Sequence, residues 1–264
     1  MAAKAAPFFN FIHMNIRKAI FSFLLFFGFV LLHAQEETPN KILFVGNSYT
    51  YFWNLPHTVD LLAESEDIDI TTKQSTAGGA NWAHHWKGER NLKTKEIIAE
   101  GDFDIVVIQN HSMSTIDRPD SLMYYGELLN EHIRKSGAQT YLYMTWAREW
   151  NPYMMEPIKE KYTQLAEKIN ARIVPVGLAW QRARELRPDF PLYFPDGSHQ
   201  SALGTYLSAC VFYGILTGKS PVGLTSRLIS EDKYGEKIYI QLQTAEDALF
   251  CQKVAEEIIN EYID

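Results

Sequence analysis

Two hydrophobic rhythms alternate along this chain. Short apolar runs bounded by turn residues read as buried strands, and longer stretches with apolar residues every three or four positions read as helices. Residues 42–45 form such a run, entered from Thr38-Pro39-Asn40 and stopped at Gly46. Residues 55–64 have helical spacing with Pro56 in the first turn, where a missing N–H costs nothing. The β-branched alternation of 68–74 predicts a second strand, 75–79 a loop, and 81–86 the start of a helix. Residues 103–109 (FDIVVIQ) are continuously apolar, as a central parallel strand is. A helix over 124–135 closes at Gly137, followed by a strand at 139–145, a helix at 156–169 and a strand at 172–176. Residues 178–186, 201–216 and 245–262 supply three more helices, with an extra strand or hairpin arm at 237–243. Strands that alternate with helices over this length imply a parallel sheet covered on both faces. The predicted fold is α/β: one three-layer α/β/α flavodoxin-like domain over 41–264, built on a five-stranded parallel sheet.

Composition narrows the setting. The 264 residues suffice for one full α/β core and are too few for two comfortable domains. Met14-Asn15-Ile16-Arg17-Lys18 is basic, and the uncharged run 19–32 after it is shorter than a membrane span needs. With Ala34 as a small residue before Gln35, residues 1–34 read as a cleaved signal peptide, with Met14 an alternative start and 35–40 a short tail. The expected location is periplasmic or secreted, with no membrane span in the mature form. Losing 1–34 removes Lys4, Arg17, Lys18 and no acid, which moves the net charge from −7 to about −10. Such a chain is a poor partner for nucleic acid. Cys210 and Cys251 are too few for a disulfide scaffold, and two buried thiols are expected over a bridge.

Two stretches carry chemistry. Ser48 follows Gly46-Asn47 at the carboxyl end of the first strand, where open α/β sheets bind their ligands. Far down the chain, Asp196-Gly197-Ser198-His199 precedes a helix. Its spacing lets a carboxylate fix the near imidazole nitrogen and leave the far one free to take a proton from an alcohol. Either stretch alone also fits an ordinary capped turn. Together, in a secreted α/β protein, they predict a nucleophile and its base.

Gly46-Asn47-Ser48-Tyr49 resembles the Gly-Asp-Ser-Leu block of the SGNH/GDSL hydrolase superfamily, and Asp196-x-x-His199 resembles its last block, in the same order along the chain. The resemblance covers roughly residues 41–218 and points to a divergent branch found largely in secreted bacterial proteins. It implies that Ser48 is the nucleophile, His199 the general base and Asp196 its orienter. It also implies oxyanion donors from the Ser48 N–H, from Gly78 or Gly79 with Gly79 preferred, and from the end of the third strand. There the family pattern Gly-x-Asn-Asp falls on Gln109-Asn110-His111-Ser112. Asn110 is preferred as a neutral amide, while His111 occupies the family's asparagine position and Gln109 stays open.

The Gly214–Ser220 stretch is one residue short of a P-loop, the GxSxG elbow is missing, and adjacent His84-His85 do not make a metal pair. No cofactor and no metal are expected. Trp53, Trp82 and Trp146 are the leading candidates for lining a substrate cleft, with Tyr51, Trp86, Trp150 and Tyr153 behind them. The expected activity is serine esterase action on acyl esters, acetyl foremost, of a small molecule or glycan. Lipase-like or thioesterase activity, and glycan binding without turnover, are the alternatives.

Overall fold

The computed structural model describes residues 39–263; the expected leader, 1–34, and most of the tail lie outside them. Five strands form one parallel sheet: β1 (Lys41–Gly46), β2 (Thr71–Thr76), β3 (Ile105–Ile108), β4 (Gln139–Tyr143) and β5 (Arg172–Val174), in the order β2-β1-β3-β4-β5. The connecting helices are α1 (Ser48–Tyr51), α2 (Leu55–Glu64), α3 (Trp82–Lys87), α4 (Thr94–Glu100), α5 (Ser114–Asp117), α6 (Pro119–Lys135), α7 (Met155–Ile169) and α8 (Val176–Leu186). Then come α9 (Ala202–Thr217), an antiparallel hairpin of β6 (Arg227–Glu231) and β7 (Lys237–Leu242), and α10 (Ala245–Ile263).

Strand alternation splits the core into two layers. Ile42, Phe44, Ile105, Val107, Tyr141 and Tyr143 face a layer shared with α2, α8, α9 and α10. Leu43, Val45, Val106, Ile108 and Leu142 face the other, filled by α3, α6 and α7. α9 is apolar almost all round because neighbours enclose it, and no helix among the described residues is long and apolar enough to cross a membrane. Cys210 on α9 and Cys251 on α10 are buried and free, and burial pushes both thiols well up.

Three elements depart from expectation. β2 begins at Thr71, not 68, because Asp67 takes a left-handed turn (φ +56°) and Ile68 donates its N–H back to Ala63. It then runs on through Thr76, into the expected loop, as a polar edge strand paired with β1 from Lys41↔Thr71 to Gly46↔Thr76. α4 carries only Thr94 and Ile98 as buried positions, too few to set a helical pattern. The arm expected at 237–243 is β7, whose partner β6 the pattern does not announce.

Gly46 ends β1 where nothing larger fits: a Cβ there would run into Thr50 Oγ1 and Gln109 Oε1. Gly46→Ala is expected to cost about 1–3 kcal/mol through this overpacking, read as a lower urea midpoint at unchanged slope. An unshifted midpoint would show that the space is not fixed.

Candidate active site

The turn after β1 is held from three sides. The Asn47 backbone N–H donates to Gln109 Oε1 at 2.8 Å, its Nδ2 donates to the Ala80 carbonyl at 2.8 Å, and its Oδ1 accepts the Tyr49 N–H at 3.0 Å. Asn47 thereby caps α1, so Ser48 is the first helical residue and its N–H has no acceptor within the helix.

The second stretch reaches this turn across 151 residues. Ser48 Oγ–H donates to His199 Nε2 at 2.8 Å, and His199 Nδ1–H donates to Asp196 Oδ2 at 2.6 Å. Asp196 Oδ1 accepts the backbone N–H groups of Ser198 and His199, at 3.0 and 2.9 Å. Burial raises the Asp196 carboxyl, but the hydrogen bonds from the His199 side chain and from these two N–H groups outweigh it and hold it below its ordinary value. Phe52 stacks on the imidazole at 4.6 Å and Tyr49 meets it edge-on at 5.4 Å.

Four residues missed in the sequence lock the two stretches together. Gln200 Nε2 donates to the Ser48, Tyr49 and Phe52 carbonyls, the orphan end of short α1. Arg148 donates to Tyr49 Oη and Ser112 Oγ, both at 2.8 Å, leaving Tyr49 Oη–H to donate to Ser198 Oγ at 2.9 Å. Adjacency to Ser48 and His199 is the one sequence signal for Tyr49, Ser198 and Gln200; Arg148 had none.

On the oxyanion side, Gly78 and Gly79 follow β2, with Gly79 left-handed at φ +62°. Gln109 is fully buried and serves the nucleophile turn, accepting from Asn47 and Thr50 and donating to the Asn110 carbonyl, which removes it as an oxyanion donor. Asn110 is buried at 3% exposure, and its Oδ1 accepts the N–H groups of Trp82 and His111. His111, partly exposed, lines a cavity of about 310 Å³ together with Gly79, Asn81, His84, Met113, Ser114, Asp117 and Arg118. Burial first, and then the Arg148 charge, push the His111 imidazole down from its ordinary value, so it is neutral; its Nδ1 accepts the Met113 N–H, which puts the proton on Nε2.

Two of the three cleft tryptophans are core residues. Trp82 is fully buried against Tyr162 between α3, α6 and α7, because the N-cap Asn81 starts a helix whose apolar face turns inward. Trp146 is sandwiched between Tyr49 and Trp180, at 4.6 and 3.9 Å, and its Nε1–H donates to the Ser198 carbonyl. It bounds a separate, mainly apolar cavity of about 240 Å³ with Trp180 and Tyr193. Trp53, 44% exposed, remains available at the rim, its indole N–H donating to the Gln200 carbonyl. Among the described residues no group of three or more His, Cys, Asp or Glu could hold a metal ion.

No protein-family model matches the chain, nor does any curated protein. Solved structures do. A DUF4886 family protein from Bacteroides uniformis is 20% identical, with a TM-score of 0.68 over 83% of this chain and 94% of that one. A protein of Slackia heliotrinireducens named as a candidate SGNH hydrolase is 26% identical, with a TM-score of 0.55 over 66% of this chain and 96% of its own. The fold is that of the SGNH hydrolases. An acetyl-xylooligosaccharide esterase from Geobacillus matches at 16% identity and a TM-score of 0.54, over 67% of this chain and 94% of its own.

His85 braces this SGNH scaffold from below: Nε2–H donates to the Gly46 carbonyl at 3.1 Å and Nδ1 accepts from Thr94 Oγ1 at 2.7 Å. Burial pushes its pKa from 6.5 down to about 4. The unfolded chain therefore takes a proton first as pH falls, and stability present above about 6.5 is lost down to about 4 and no further. His85→Gln should flatten the fall in urea midpoint between pH 6.5 and 4.5. A slope equal to wild type would remove His85 from this account.

Proposed function

We propose that this chain is a serine esterase that removes small acyl groups, acetyl foremost, from a carbohydrate. The observation that carries the reading is the unbroken hydrogen-bond chain Ser48–His199–Asp196, at 2.8 and 2.6 Å. His199 Nε2 takes the Ser48 proton as Oγ attacks the ester carbonyl, and Asp196 balances the imidazolium and keeps its ring aligned. The negative oxygen of the tetrahedral intermediate is received by the N–H groups of Ser48 and Gly79. We assign the third donor to Asn110 Nδ2–H: the N–H groups of Trp82 and His111 hold its Oδ1 and leave the amide N–H free, whereas Gln109 spends its own on the Asn110 carbonyl. His199 returns the proton to the leaving alcohol, and the acyl-Ser48 ester is then cleaved by a water that His199 deprotonates. Each oxyanion donor is worth about 10²–10³ in kcat.

A carbohydrate substrate is supported by exposed aromatic surface around the triad. Trp53 touches Gln200, Trp150 lies against Gly197, and Tyr153 stands nearby in sequence on the Trp150 loop. The cavity beside Gly79 is lined by the polar side chains of Asn81, His84, His111, Ser114, Asp117 and Arg118, which favours a sugar over the long acyl chain of a lipase-type substrate. Acetyl xylan and acetyl-xylooligosaccharide esterases stand among the structural neighbours, which supports the acetyl group. Action outside the cytoplasm follows from the sequence pattern of 1–34.

Ser48→Ala should keep the fold, lose labelling by an organophosphonate, and lower kcat on an acetyl ester by about 10⁴-fold or more. Asp196→Asn should lower kcat by about 10⁴-fold with little change in KM. Turnover by Ser48→Ala at the wild-type rate would refute the assignment. In a secreting host the mature protein should begin at Gln35; a full-length chain in the exported fraction would refute the leader.

A further inference from the structure

The cavity beside Gly79 has a chemistry that the acyl-transfer steps do not use. Asp117 ends α5 and Arg118 joins it to α6, both exposed, so a lone acceptor and a lone donor stand side by side. Among the described residues neither makes an ion pair. Across from them is His111, whose Nε2–H is a donor because its Nδ1 is occupied by Met113. His84 adds a second imidazole with its Nδ1 occupied, by the Asn81 N–H, and its Nε2 lies 3.5 Å from Glu89. The one large apolar contribution is Met113.

The combination discriminates between ligands. A carboxylate or phosphate would meet Arg118 but also the Asp117 charge. An acyl chain would find one thioether among side chains that otherwise end in polar groups, at a cost for every such group left without a partner. Hydroxyl groups fit all of it, since each both donates and accepts: neighbouring hydroxyls can give a hydrogen to Asp117 and take one from Arg118 or His111. A volume of about 310 Å³ sits at the lower end of small-molecule sites, room for one ring and little more.

We propose that this cavity is a sugar subsite, taking one neutral, hydroxyl-bearing pyranose ring of the substrate next to the ester that Ser48 attacks. The proposal rests on the esterase reading, since Gly79 is shared between the cavity and the oxyanion side. Its test compares two substrates, a panel of mono-O-acetyl methyl pyranosides and p-nitrophenyl acetate, which has no sugar ring to bind. In Asp117→Ala and in Arg118→Ala, the ratio of kcat/KM for the preferred acetylated pyranoside over that for p-nitrophenyl acetate should fall about tenfold or more, through KM. Asp117→Asn, which keeps an acceptor, should recover part of the loss. An unchanged ratio in both alanine variants, or wild-type protein that cleaves p-nitrophenyl acetate and none of the pyranosides, overturns the subsite and leaves the esterase reading standing. Wild-type protein that cleaves neither and is not labelled at Ser48 overturns both.

Discussion

The carboxamide of Gln109 lies against Gly46 with no exposure to solvent, and the geometry of the Ser48 turn follows from it. Its oxygen accepts the Asn47 N–H and the Thr50 hydroxyl, so the end of β3 dictates how the chain leaves β1. Only a residue without a side chain leaves room for that carboxamide, which is why strand β1 ends in glycine. Buried polar groups are costly unless satisfied, and here the satisfied group doubles as a template. Asn47 extends the arrangement to the Ala80 carbonyl, linking the serine turn to the loop that bears Gly79.

Around this template the Ser48–His199–Asp196 group is assembled by hydrogen bonds that do not themselves belong to it. Gln200 gathers three carbonyls of the segment 48–52, and the Arg148–Tyr49–Ser198 chain ties β4's exit to both stretches. Because these contacts flank Ser48 and His199 on either side in sequence, Ser48 Oγ and His199 Nε2 are fixed more firmly than their own hydrogen bond could fix them. Neighbouring aromatic rings, Phe52 and Tyr49, limit the tilt of the imidazole.

Much of the architecture was legible in the sequence because its signals are local. The apolar run 42–45 and the run 105–108 inside the expected strand 103–109 are both central strands, and the Leu55–Glu64 helix has the bounds its spacing suggested. β2 was misplaced because Ile68 and Ile70 are buried as plugs below the sheet edge, while the paired residues are polar ones that an edge tolerates. The hydrogen-bonded group Ser48–His199–Asp196 was legible because glycine, serine, aspartate and histidine fall at short, chemically meaningful spacings. The supporting shell was not. Whether a tryptophan faces solvent or core depends on local backbone, which separates Trp53, in a left-handed turn, from Trp82 on the inward face of a helix, and whether Gln109, Asn110 or His111 looks outward depends on the pleat at the end of a four-residue strand.

The hydrogen bond between Ser48 and His199 closes a span of 151 residues, and β2, β3, β4 and β5 all lie within that interval. A contact so distant in sequence must overcome the entropy of closing that loop before it returns anything. The meeting of hydroxyl and imidazole therefore belongs to the sheet as a whole and not to either stretch that supplies them.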